Sequence, residues 1–121
     1  MSTLGELERA TMDVLWDRAE PMVVRDVVDA LADRDLAYTT VMTVLTRLAK
    51  KGFVRRELDG RAWRYAPSAT REDYVARLMF DALSQTGDRQ AALAHFARAV
   101  SEPEAEVLSQ ALAEGREGGQ R

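Results

Sequence analysis

The 121-residue sequence contains no cysteine. That absence excludes disulfides, thiolate metal sites, iron–sulfur clusters and cysteine nucleophiles together. There is one histidine, His95. A histidine-based metal site or a serine–histidine–aspartate triad would need partners this chain does not supply. No apolar run approaches the roughly 18 residues of a membrane span. The start MSTLGELERA lacks the basic segment and apolar stretch of a secretion signal, so the expected compartment is the cytoplasm. No glycine-rich phosphate loop occurs, and no pair of acids stands at a spacing that marks an acid–base couple. Neither an enzyme, a cofactor nor a metal is expected.

What is present is the balance of a folded domain, with 46% apolar and 31% charged residues. The net charge of −3 conceals a segregation. Residues 1–35 hold four arginines against nine acids, and residues 68–121 hold six against nine. Residues 36–67 reverse the balance, with seven lysines and arginines against Glu57 and Asp59. A basic block in an acidic chain is the footprint of a polyanion site, although a solvated face can carry the same charges.

Thr3 and Glu6 fit a capping box opening a helix over about 4–18, with Leu7, Thr11, Val14 and Leu15 at helical spacing. Glu20-Pro21 ends it. A short helix follows over about 24–32, carrying Val27, Val28 and Leu31. Thr39 stands as N-cap of a third helix, which Lys50, Lys51 and Gly52 close with C-terminal cations and a left-handed residue. The period then changes to that of strands over 53–58 and 61–66, with Asp59-Gly60 as the turn. Three helices and a basic hairpin make a winged helix-turn-helix.

Beyond Thr70 the pattern is helical throughout. Val75, Leu78, Met79 and Leu83 form one apolar stripe, Leu93 and Phe96 lie on a second, and Leu108 and Leu112 on a third. Gly87-Asp88 restarts a helix, and Ser101 with Glu104 offers another capping box. Three short helices cannot bury enough surface to fold securely alone, so their stripes pack back on the N-terminal lobe or against a second copy, the second being preferred. The expected architecture is mainly α-helical with a small β-hairpin. A winged helix-turn-helix spans residues 1–68, a helical dimerisation domain 69–114, and a disordered tail 115–121.

Val41, Val44, Leu45 and Leu48 must face the core from the third helix, which turns Thr40, Thr43, Arg47 and Lys50 outward with Met42 and Thr46 beside them. Threonine is a mediocre helix former, so four of them (Thr39, Thr40, Thr43 and Thr46) need a reason. A major groove supplies one: threonine offers a methyl to thymine, and Arg47 a fork to guanine or phosphate. Arg61 beside the turn is the foremost wing contact, with Arg55, Arg56 and Arg64 along the hairpin. Trp63 and Tyr65 read as packing on the helices, with base stacking the other option. Arg25 suits either a phosphate or an acidic neighbour.

The stretches LGELERATMDVLW, AYTTVMTVLTRLAKKGFVRRE and GRAWRYAP resemble the penicillinase repressor (BlaI/MecI/CopY) family over roughly residues 4–112. The resemblance implies a homodimeric repressor on palindromic operator DNA, with Thr40, Thr43, Thr46, Arg47 and Lys50 on the recognition helix and Arg61 on the wing. It further implies interlocked C-terminal helices and, for the β-lactam branch, inactivation through a membrane sensor protease system. Family cleavage commonly falls at an Asn-Phe bond, and the similar position here is His95-Phe96. The C-terminal cysteines of the copper-responsive branch are absent. The alternatives are a small winged-helix regulator of another ligand-sensing family, and a winged helix used for protein–protein contact.

Overall fold

A computed structural model describes residues 4–119, with side chains through Arg116. It contains helices α1 (Glu6–Asp17), α2 (Val24–Ala30) and α3 (Tyr38–Lys50), and strands β1 (Val54–Asp59) and β2 (Ala62–Pro67). Helices α4 (Arg71–Leu83), α5 (Arg89–Ala99) and α6 (Glu102–Gly119) follow. Two compact units divide between Asp81 and Ala82.

The first unit is built on the periodicity of its helices. Met12 and Leu15 of α1, Val27 of α2, and Val41, Val44, Leu45 and Leu48 of α3 meet in one core. Phe53, Val54, Tyr65 and Tyr74 close it. The hairpin is tied to the helices by paired backbone bonds between Met22 and Tyr65, at 2.9 and 2.8 Å. These give the short ribbon a third partner, without which two strands are marginal in water.

Several boundaries depart from the sequence expectations. Thr3 lies outside the described residues; α1 is capped instead by Glu8, whose carboxylate accepts from the Gly5 N–H at 2.9 Å. α3 begins one residue before Thr39, with extended Ala37 as its N-cap. The Ala37 carbonyl accepts from the Thr40 and Val41 N–H groups, so a backbone group takes the place given to the Thr39 hydroxyl. Asp59 pairs with Ala62, which makes Gly60-Arg61 the hairpin loop rather than Asp59-Gly60. Gly60 has φ +65° and Gly52 φ +83°, conformations that favour glycine.

The first unit also runs past the 68/69 boundary. Trp16 donates its indole N–H to the Ala69 carbonyl at 3.0 Å, and the Tyr74 hydroxyl accepts from the Leu4 N–H at 3.1 Å. Both contacts hold the start of α4 on the first unit.

In the second unit, the Asp88 carboxylate caps α5 by accepting from Ala91 N–H at 3.0 Å. Ser101 and Glu104 exchange bonds as a capping box ahead of α6. α6 continues to Gly119, through Gly115 where the sequence suggests a tail. Glycine weakens a helix but ends it chiefly by adopting positive φ, and Gly115 does not. Residues 120 and 121 lie outside the described part. Among the described residues from Ala82 onward, none is buried.

Candidate nucleic-acid interface

The face of α3 opposite the core is exposed along its whole length: Thr39, Thr40, Met42, Thr43, Thr46, Arg47 and Lys50 all reach solvent. The helix contains no acid. Every residue expected on the DNA-facing side of α3 is thus on its open side. Arg61 sits in the two-residue loop at the hairpin's tip, also exposed.

The cations of the first unit fall into two sets. Arg9 meets Asp13 at 3.2 Å, Arg34 meets Glu6 at 2.7 Å, Lys51 meets Glu8 at 2.9 Å, Arg64 meets Asp59 at 2.8 Å, and Arg71 meets Asp17 at 2.9 Å. Arg18, Arg25, Arg47, Lys50, Arg55, Arg56, Arg61 and Arg77 form no ion pair among the described residues. Arg18 follows α1 and Arg77 lies on α4; the other six occupy the start of α2, the open face of α3 and the hairpin. A basic surface with no internal counter-charge is left to attract an external polyanion.

The expected wing residues differ in how they are held. Arg55 donates to the Pro67 carbonyl at 2.8 Å and Arg64 to Asp59 at 2.8 Å, so both are engaged within the hairpin. Alternation along the strands puts Arg56, Leu58, Trp63 and Tyr65 on one side and Arg55 and Arg64 on the other. Tyr65 is buried in the core, as expected, but Trp63 is 43% exposed and carries Arg56 over its ring at 4.5 Å. The Arg25 Cζ likewise lies over the Tyr38 ring, 5.2 Å from its centroid. The Arg56–Trp63 and Arg25–Tyr38 pairings were not legible in the sequence, because each joins residues from different elements.

The threonine hydroxyls have a defined orientation. Thr43 donates to the Thr39 carbonyl and Thr46 to the Met42 carbonyl, both at 2.9 Å. With the hydrogen turned into the helix, each side chain presents a methyl and an acceptor oxygen outward.

Behind this face, Glu8 fixes the end of α3 by accepting twice from Lys51. Partial burial opposes its ionisation. The Gly5 N–H, the Lys51 ammonium and the field of Arg47 outweigh that and hold its carboxyl below the ordinary value.

The remaining expected sites are distributed over α4 to α6. Leu78 packs against the core of the first unit, while Val75 and Met79 are exposed. Leu83 is half-buried, and Leu93, Phe96, Leu108 and Leu112 are exposed. Phe80 and Val107, also strongly exposed, were not among the expected contacts because they fall beside the counted stripes. His95 and Phe96 both lie on the surface within α5. No helix among the described residues is long and apolar enough to cross a membrane.

A sequence profile of the penicillinase repressor family matches residues 4–114. The transcriptional regulator BlaI of Mycobacterium tuberculosis is 58% identical over 118 residues, covering 94% of this chain and 86% of that protein. Among solved structures, the DNA-binding domain of the repressor BlaI is 27% identical with a TM-score of 0.53, over 60% of this chain and 89% of that one. Monomeric Bacillus licheniformis BlaI, in complex with the blaP half-operator, is 27% identical with a TM-score of 0.51, over 60% and 88%. MepR, a transcription regulator of the Staphylococcus aureus multidrug efflux pump MepA, shares the fold at 17% identity and a TM-score of 0.50, over 95% and 79%. From its profile match, its extended identity and its winged-helix architecture, the chain belongs to the penicillinase repressor family of transcriptional regulators.

Proposed function

We propose that this chain is a sequence-specific DNA-binding repressor of the β-lactam-resistance type, which occupies palindromic operators as a homodimer in the cytoplasm. The observation that carries the reading is the open face of α3: Thr40, Thr43, Arg47 and Lys50 stand exposed, without an acid on the helix, beside Arg61 at the hairpin tip. In a duplex, α3 enters the major groove, where Thr43, Arg47 and Thr46 meet base edges and Thr39, Thr40 and Lys50 lie toward the backbone. Arg61 reaches the flanking backbone. The complex of the Bacillus licheniformis relative with the blaP half-operator supports operator DNA as the ligand.

Dimerisation is supported by the second unit. Its helices bury no described residue, yet they expose Leu93, Phe96, Val107, Leu108 and Leu112. A groove of about 420 Å³ between α5 and α6, lined by Phe96, Val100, Val107 and Leu108, gives a facing helix somewhere to insert. A second copy of these helices, together with Val75, Met79 and Leu83 of α4, supplies the missing apolar partner. Two-fold pairing places two α3 helices about one duplex turn apart, roughly 34 Å. Release follows from scission at His95-Phe96 by a protease linked to a membrane sensor. Both residues are exposed, but the bond lies within α5, so this helix must open before the backbone can enter a protease.

The test is fluorescence anisotropy of the full chain with a duplex that the chain itself enriches from a random pool, challenged by a scrambled competitor. The scrambled duplex should compete at least about a thousandfold more weakly. Equal competition overturns sequence-specific repression. Failure to bind any duplex assigns the basic face to a protein partner.

A further inference from the structure

A groove of about 470 Å³ lies between α3 and the hairpin. Met42 and Thr46 line it from α3, and Arg25, Arg56 and Arg61 line it from the start of α2, β1 and the hairpin loop. No carboxylate is among its lining residues. Two of its three guanidiniums lie on aromatic faces, Arg25 on Tyr38 and Arg56 on Trp63. The recognition-helix contacts do not account for these two pairs.

We propose that this groove seats the sugar–phosphate backbone of a duplex, with Arg25 and Arg56 as phosphate ligands and Tyr38 and Trp63 as the platforms that hold them. The inference rests on the DNA-binding reading above and extends it to residues outside the recognition set.

A guanidinium held over a ring face makes no conventional hydrogen bond to it and so keeps its N–H donors for a phosphate. Arg55 and Arg64 differ in that each already commits one N–H within the hairpin, to the Pro67 carbonyl and to Asp59. Stacking also removes rotamer freedom before the ligand arrives, which lowers the cost of ordering two long side chains. Cations drawn from three elements along one groove suit a chain of phosphates better than a single anion. The apolar surfaces of Met42 and Trp63, 40% and 43% exposed, suit the deoxyribose between them.

Backbone contacts are independent of sequence and release counterions, so the test reads salt dependence. Affinity of the full chain is measured over a salt series for a scrambled duplex and for an enriched one, in wild type, Arg25→Ala, Arg56→Ala, Trp63→Leu and Trp63→Phe. Thermal melts establish that each variant is folded. Each arginine variant should lower the slope of log affinity against log salt by about 0.9 on both duplexes, leaving their affinity ratio unchanged. Trp63→Leu should weaken binding to both duplexes in parallel, and Trp63→Phe should restore it by returning a face for Arg56. Unchanged slopes in folded variants that still bind DNA overturn the clamp alone. A changed affinity ratio with an unchanged slope makes these residues base readers and also overturns it. A Trp63→Leu variant that matches wild type removes the platform role. Wild-type protein that binds no duplex overturns both the clamp and the reading beneath it.

Discussion

At the scale of single residues, the hydroxyls of Thr43 and Thr46 set what the open face of α3 offers under the proposed DNA-binding reading. Each donates its hydrogen to a carbonyl of its own helix, so each faces outward with a methyl and an acceptor. That pair of groups complements a thymine methyl, or the amino group of adenine or cytosine, and not the acceptor-only edge of guanine. Thr43→Val keeps the methyl and should bind an enriched duplex within about twofold of wild type. Thr43→Ser loses one methyl and should bind about fourfold more weakly, near the 0.8 kcal/mol of a buried methylene. Anisotropy titration with both variants checks this; the reverse order would mean that the Thr43 oxygen, and not its methyl, makes the contact. Glu8 carries a second prediction. Its carboxyl titrates below the ordinary value in the folded state, so its ionised form stabilises the fold at neutral pH. That contribution is lost as pH falls through its folded value. Glu8→Gln should therefore lower Tm at pH 7 and flatten its decline on acidification, as read by melts across the acid range. The outward set on α3 was legible because a helix of known core face has its other face fixed by the 3.6-residue period. Glu8 was not, since its partner Lys51 is distant in sequence and meets it only once α1 and α3 pack.

At the scale of elements, Gly60 marked the hairpin, Gly52 the end of α3, and Ser101 with Glu104 the start of α6. Thr39 as a cap and Gly115 as a helix end did not hold. Gly52 was legible as a left-handed residue, and it has φ +83° with open space where a Cβ would stand. The cost of Gly52→Ala is thus confined to the backbone, about 1–2 kcal/mol, measurable as a lower urea midpoint with an unchanged slope. Leu45→Ala, in the fully buried row of α3, should cost about 2–5 kcal/mol by leaving a cavity among α1, α2 and α3. The start of α3 and the loop of the hairpin were each misplaced by one residue, for different reasons. At α3 a backbone carbonyl does the work assigned to a hydroxyl. In the hairpin, the pairing of Asp59 with Ala62 moves the loop to Gly60-Arg61. Cross-strand register depends on how Tyr65 enters the core and meets Met22, which no local pattern states. That shift puts Arg61 in the loop itself.

At the scale of the whole molecule, the two units differ in what sustains them. Among the described residues, all the buried ones lie in the first, which draws Tyr74 of α4 into its core. The sequence placed the boundary earlier because Pro67 ends the hairpin audibly, whereas one tyrosine among the polar residues of early α4 gives no signal of where it packs. The apolar stripes of α4 to α6 were legible as stripes; what covers them was not, since no partner is written into a single chain. Phe96→Asp combined with Leu108→Asp should convert the chain to a monomer in sedimentation velocity while the first unit keeps its own melting transition. Apparent affinity for a palindromic duplex should fall at least tenfold, with half-site affinity nearly unchanged. The absence of buried residues among the described part of the second unit has a further consequence for gene dosage. When protomers are mostly single, halving their number reduces the paired species roughly fourfold, by mass action. Control over a promoter would then respond to synthesis and turnover of the chain more steeply than any one-site binding curve allows.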